Sequence, residues 1–284
     1  MRTRDARCTA TFSGHTSCVW AVVELSDGRI ATGSVDKTVK IWTVDSVHTF
    51  TFSGHTASVY SVIGLRNGQI ATGSADKTVK IWTLDGTCTA TLHGHTAYVN
   101  SVTELSDGRI ATGSADSTVK IWKLDGTCDA TFSGHTSIVK LVIQLNDGQI
   151  ATGSADKTVK IWTLDGTCTA TFYGHGDAIR SLTELSNGQI ASGSADSTVK
   201  IWKRDGTCMT TFSDHTASVH SVTELSSGQM ASGSSDKTVK IWTLDGTCTA
   251  TFSGHTDAVS SVIELSDGKI ASSSWDKTAK IWTP

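Results

Sequence analysis

Short runs of alternating apolar and polar residues, separated by turn residues, recur along the whole chain. The first, VWAVVEL from Val19 to Leu25, ends at Ser26-Asp27-Gly28. IATGS follows from Ile30 to Ser34, then a turn at Val35-Asp36-Lys37, then TVKIW from Thr38 to Trp42. After a loop around Asp45 comes a fourth run, Phe50 to Phe52, better seen as CTATF from Cys168 to Phe172. Period-two alternation bounded by Gly, Asp and Ser marks strands. Each set therefore predicts four antiparallel strands.

The set repeats every forty residues with no insertion or deletion. Ile-Trp falls at Ile41-Trp42, Ile81-Trp82, Ile121-Trp122, Ile161-Trp162, Ile201-Trp202, Ile241-Trp242 and Ile281-Trp282. A histidine keeps the step from His15 to His255, and an aspartate from Asp36 to Asp276. A fixed period of this size means units that bury their apolar faces only against one another. Seven four-stranded units fit an all-β, seven-bladed propeller. The chain begins with a fourth strand, Cys8 to Phe12, and ends with a third, Thr278 to Trp282. Pairing these two closes the ring and removes the open edges that invite aggregation. The unbroken period makes residues 1–284 one domain.

Composition narrows the function. A net charge of -3 argues against a nucleic-acid or membrane-surface binder, both normally basic. No apolar run could serve as a leader or span a bilayer. Cys8, Cys88, Cys128, Cys168, Cys208 and Cys248 recur on equivalent outer strands, too far apart for bridges, and Cys18 stands out of phase. Reduced thiols predict a cytoplasmic protein, expected to be a monomer. His15, Asp36 and a hydroxyl from Thr32 or Ser34 could in composition form a hydrolase triad. An active site has no reason to occur seven times at even spacing, so no enzyme is predicted. One periodic histidine per blade is too few for a metal site, and His48, His93 and His220 lack nearby ligand partners. No cofactor or metal is expected.

The Gly14-His15 pair, the run IATGSVDKTVKIW from Ile30 to Trp42 and the seven-fold spacing resemble WD40 repeats over nearly the whole chain. Departures are Thr or Lys after the Trp of each Ile-Trp pair, Asp214 for Gly, and Ser273 for Gly. The resemblance implies a structural network running from Asp to His, to a Ser or Thr hydroxyl, to the Trp indole. Its members would be His15, Ser34, Asp36 and Trp42, and in the fourth repeat His135, Ser154, Asp156 and Trp162. Thr32 and Ser34 both remain candidates for the hydroxyl. Stretches such as GSADKTVKIW (73–82) look like the branch represented by phospholipase A2-activating protein, whose propeller contacts ubiquitin. Ubiquitin is thus a partner implied by that resemblance alone.

Comparison among the copies isolates one column. Five residues after each histidine stand Trp20, Tyr60, Asn100, Lys140, Arg180, His220 and Ser260, seven types in seven copies. Exposed turn columns vary little; that of Lys37 holds only Lys or Ser. The variable column begins the first strand, at the channel mouth on the Gly-His face. In WD40 relatives this position, the one two before it and the one before the turn Asp are common contact points. Those further columns contribute Tyr98, Ile138 and Trp275. Trp20, Tyr60 and Trp275 predict an exposed aromatic patch across the closure seam, and Lys140, Arg180 and His220 a basic arc opposite. The expected function is a non-catalytic interaction scaffold binding a protein or peptide segment with an apolar anchor and acidic residues. Such near-identical copies also suit a non-self or defence-type receptor, or an array recently amplified or engineered with no evolved partner.

Overall fold

The structure is a computed structural model that describes residues 7–43 and 48–283. Asp45 and the side chains of Cys8 and His48 lie outside the described residues. Among those residues, 28 strands form seven antiparallel sheets of four strands. Blade 1 comprises Val19–Glu24, Ile30–Ser34, Thr38–Trp42 and His48–Ser53, from the channel outward. Blades 2 to 6 repeat that order, and the first strands of neighbouring blades touch around the channel.

Blade 7 takes its outer strand from the start of the chain. Arg7–Ser13 pairs antiparallel with Thr278–Thr283, setting Phe12 opposite Ala279 and Ser13 opposite Thr278. The strand expected over Cys8 to Phe12 is thus one residue longer at each end. Closure also shows in the core. Phe12, Ala271, Ala279 and Ile281 of blade 7 pack with Val22, Ile30 and Trp42 of blade 1. That cluster repeats the one between blades 1 and 2, where Phe52 and Ile41 meet Val59, Ile70 and Trp82.

Every core lies between blades, which is why no blade is stable alone. The second strand, IATGS in blade 1, is buried along its whole length because a neighbour covers each face. Its glycine suits that approach: a Cβ on Gly33 would stand 2.7 Å from Val62 Cγ2 of the next blade, so the valine would have to yield. Blade 7 carries Ser273 there and uses it differently. Ser273 Oγ lies 2.9 Å from Ser260 Oγ, which donates to the Val19 carbonyl of blade 1 at 2.6 Å. A polar latch therefore spans the closure seam.

The first strands depart from simple alternation. Period two places Val19, Ala21, Val23 and Leu25 on one face, yet the buried residues are Val19, Val22 and Leu25. The cause is a β-bulge: Val19 pairs with Ser34 but Ala21 with Gly33, leaving Trp20 as the extra residue. The same irregularity recurs in all seven blades. A bulge re-aims its extra side chain and frees it from the ladder. The seven-type column is the bulged residue.

At the other end of the first strands, a carboxylate or amide reaches back to the preceding blade. Glu104 accepts from the Arg66 N–H, Gln144 from Ser106, Glu184 from Asn146, Glu224 from Ser186, Glu264 from Ser226 and Glu24 from Ser266. The blade 2 position is Gly64, which has no side chain to offer Ser26. Gly64→Glu is therefore expected to stabilise the protein by about 0.5–1.5 kcal/mol, through one charge-assisted bond and a strand freed of glycine. The new Cβ would lie 3.3 Å from Leu25 Cδ2, so that methyl must yield slightly. A thermal melt checks this; an unchanged or lower midpoint would mean the Leu25 contact outweighs the bond.

Candidate functional site

Two sets of polar residues were singled out by the repeats, and the structure gives them different surroundings. The first is the framework network. In blade 4, His135 Nδ1 is 2.7 Å from Asp156 Oδ2 and Nε2 is 2.7 Å from Thr152 Oγ1. Trp162 Nε1–H donates to the same Thr152 oxygen at 2.8 Å. A carboxylate only accepts, so Nδ1 carries the imidazole proton. Nε2 of the neutral ring then accepts from the Thr152 hydroxyl, whose oxygen accepts from the indole. All four groups are satisfied in one direction. Burial holds the His135 imidazole below its ordinary range, although Asp156 pulls the other way.

The hydroxyl left open by the sequence is thus Thr32 and its equivalents, with Ser192, Ser232 and Ser272 in blades 5 to 7. Ser34 is a correction to the expected chain. Its Oγ donates to the Ser17 carbonyl and accepts the Asp36 N–H, fastening the turn instead. Ser154 does the same with Ser137 and Asp156. The two hydroxyls have separate partners even though the residues lie two apart: Thr32 meets His15 and Trp42, and Ser34 the turn. Every linking hydroxyl is at most 1 % exposed, so no substrate reaches one.

The second set is the bulge column, which lines one cavity of about 520 Å³ in the channel mouth. Tyr98 and Ile138 line it as well. The neighbouring columns are tied beside it by backbone bonds, such as Ala115 N–H to the Tyr98 carbonyl and Trp275 N–H to that of Ala258. Trp20 packs against Trp275 with centroids 5.1 Å apart and against Tyr60 at 5.7 Å. Tyr60 meets Tyr98 at 6.3 Å, and Trp275 meets His220 at 5.3 Å. One aromatic arc therefore runs from blade 6 across the seam to blade 3.

Three expectations change here. The aromatics were expected to be exposed, but Trp20, Tyr60 and Trp275 are half-buried against one another, and only Tyr98, at 50 %, is open. The bulge turns these side chains toward the channel, where they shelter each other. His220 belongs to the aromatic arc and not to a basic one. It lies 2.7 Å from Ser235 Oγ, and burial, then the Arg180 and Lys140 charges, lower its pKa to about 4. It is neutral near pH 7. Ser260, the third, is buried in the seam latch, and Asn100 likewise donates to the Val139 carbonyl of the next blade.

The low variation of the turn column also has a backbone cause. Lys37, Lys77, Ser117, Lys157, Ser197, Lys237 and Lys277 all have φ of 68–73°, a region closed to β-branched residues. The column thus varies under a constraint.

Two cations remain. Lys140 and Arg180 stand on adjacent blades, and neither forms an ion pair among the described residues. Arg180 Nε and the Trp20 and Trp275 indole nitrogens are buried with no hydrogen-bond partner. Burial, then Arg180, hold the Lys140 ammonium below its ordinary pKa. Sequence reasoning found the residues of this mouth but not the bulge that aims them. The only signal for it was the extra residue between Val19 and Val22 in the apolar pattern.

The repeat family described as "WD domain, G-beta repeat" matches over residues 6–43, 46–83, 86–123, 126–163, 166–203, 206–243 and 246–283. Among solved structures, the WD40 β-propeller domain of Doa1 is similar, with a TM-score of 0.91 and 28% sequence identity. That similarity covers 99% of this chain and 97% of that one. No curated protein matches the chain.

Proposed function

The chain belongs to the WD40-repeat family, and on that premise we propose that it is a non-catalytic scaffold whose channel mouth binds a protein segment. WD40 propellers commonly serve as protein-interaction scaffolds. The observation that carries the reading is the channel mouth itself. Its most varied column, seven types in seven blades, stands at bulges that free those residues from the ladder, while the framework network is nearly uniform. Half-buried aromatics with unpaired indole N–H groups, beside Arg180, are the residue types that dominate binding hot spots, and Lys140 adds a second cation. They suit a segment with an apolar anchor and an acidic group. A cytoplasmic setting is part of the proposal, since exposed single thiols such as Cys88 and Cys168 suit a reducing compartment.

Selection from a random peptide library against the immobilised protein tests the reading. Selected peptides are expected to bind Trp20→Ala/Trp275→Ala at least about tenfold more weakly, a loss of roughly 1.4 kcal/mol or more. Tyr173→Ala, at an exposed aromatic outside the cavity, should retain binding. The double variant loses mutual ring packing, so its melting point should be a few degrees lower while the fold persists. Peptides that bind the double variant and the parent equally would overturn the proposal.

A further inference from the structure

We infer that the group this mouth recognises is an anion, carboxylate or phosphoryl, borne at the tip of an aromatic or apolar moiety and inserted end-on into the channel. The inference rests on the channel-mouth reading above and specifies its ligand.

The first support is shape. The cavity is walled by the first strands of all seven blades, from the bulge column down to residues such as Val22, Val62 and Ile143. Three residues of strand give a depth of about 10 Å. Such a well takes a tip from above and not a chain lying flat across the face.

Charge supplies the second. Among the described residues, Lys140 and Arg180 are the only fully charged ones lining the cavity, and no Asp or Glu lines it. Two like charges on neighbouring blades, partly out of water and without a counter-ion, are costly until an anion joins them. The Lys140 shift, caused by burial and then by Arg180, has the same origin. Three neutral members are already engaged: His220 with Ser235, Asn100 with the Val139 carbonyl and Ser260 with that of Val19.

Polarity along the channel is the third. The far ends of the same first strands carry Glu24, Glu104, Glu184, Glu224 and Glu264. Glu104 and Glu184 are paired with Arg66 and Arg204, which leaves Glu24, Glu224 and Glu264 to oppose the positive Gly-His end. An anion is drawn in from one side and halted, while its ring or alkyl part rests on the arc of Trp20, Tyr60 and Tyr98.

The test uses 3-phenylpropionate, phenyl phosphate and the neutral 3-phenylpropionamide, followed by NMR of the Trp20 and Trp275 indole N–H signals. At least one anion is expected to bind about tenfold or more tighter than the amide, with an affinity that falls with salt. The stronger of the two tells a carboxylate site from a phosphoryl site. Lys140→Met/Arg180→Met should bring both anions to the level of the amide while the melting point holds or rises. Equal binding of anions and amide, a preference that survives the double substitution, or no binding of any probe would overturn the inference. Library peptides that still need Trp20 and Trp275 would then leave the scaffold reading standing; their absence would remove both.

Discussion

A chain lacking residues 1–13 is expected to aggregate or to melt far below the full-length protein. Those residues include Arg7–Ser13, which among the described residues is the only partner of the outer edge of Thr278–Thr283. Their loss bares a row of unpaired N–H and C=O groups on a strand already half inside a sheet, a template for pairing with another chain. It also removes Phe12, 2% exposed and 5.7 Å from the Trp42 ring, from the core joining blades 7 and 1. A ring opened at one interface loses the mutual support of both neighbours. The single change Phe12→Ala isolates the packing part and should cost about 3–5 kcal/mol. Phe172→Ala, at the equivalent place between blades 4 and 5, should cost about the same, because the seam is built like any other interface. Denaturant titration of the two variants and light scattering of the truncated chain provide the comparison. A truncated protein that melts like the parent would refute closure by this strand.

The second large effect is expected at the network of blade 4. Thr152→Val keeps the shape but leaves the Trp162 indole and His135 Nε2 without their shared oxygen. Each orphaned buried group costs on the order of 1–3 kcal/mol, which for a protein of this size is several degrees of melting temperature per group. Thr152→Ser should be nearly neutral, since three blades already use serine there. Asp156→Ala removes the acceptor of His135, of the Thr136 N–H and of Thr158, and should be at least as damaging. Lys157→Ala, on the exposed turn next door, should cost little. Equal losses from Asp156→Ala and Lys157→Ala would show that the network does not hold the blade.

Acid should act through the same groups. Burial pushes the Asp156 carboxyl up, but bonds from Thr158 and His135 outweigh it and hold the pKa at about 2. Asp76, Asp116 and Asp196 are held likewise. Their folded pKa lies below the unfolded value of about 3.9, so their contribution is complete above that pH and is lost as pH falls toward 2. His15, His55, His95, His135 and His175 are lowered by burial. The unfolded chain therefore takes up their protons first, and stability begins to fall below about pH 6.5. Urea midpoints measured from pH 8 to pH 3 should be level at first, then decline, and drop steeply near the acid end.

The sequence by itself determined the ring. Seven copies in register, each reading as four strands, with complementary strands at the two ends, leave few other ways to bury the apolar faces. The strand limits Ile30–Ser34, Thr38–Trp42 and Cys168–Phe172 stand as read. The spacing also marked the network's His, Asp and Trp, and comparison of copies marked the variable column. Which hydroxyl joins the network was decided only in three dimensions. Thr32 and Ser34 share a strand, and only the packed blade shows Thr32 meeting the His15 and Trp42 rings while Ser34 fastens the turn. The fate of the variable column was decided there too. Periodicity counts residues along a strand and is blind to one that leaves the ladder, so it could not aim Trp20 into the channel. Nor could it withdraw Ser260 into the seam or discharge His220 against Trp275. Those outcomes depend on groups from 13 to 241 residues apart in the chain, brought within a few ångströms when strands pair and blades close.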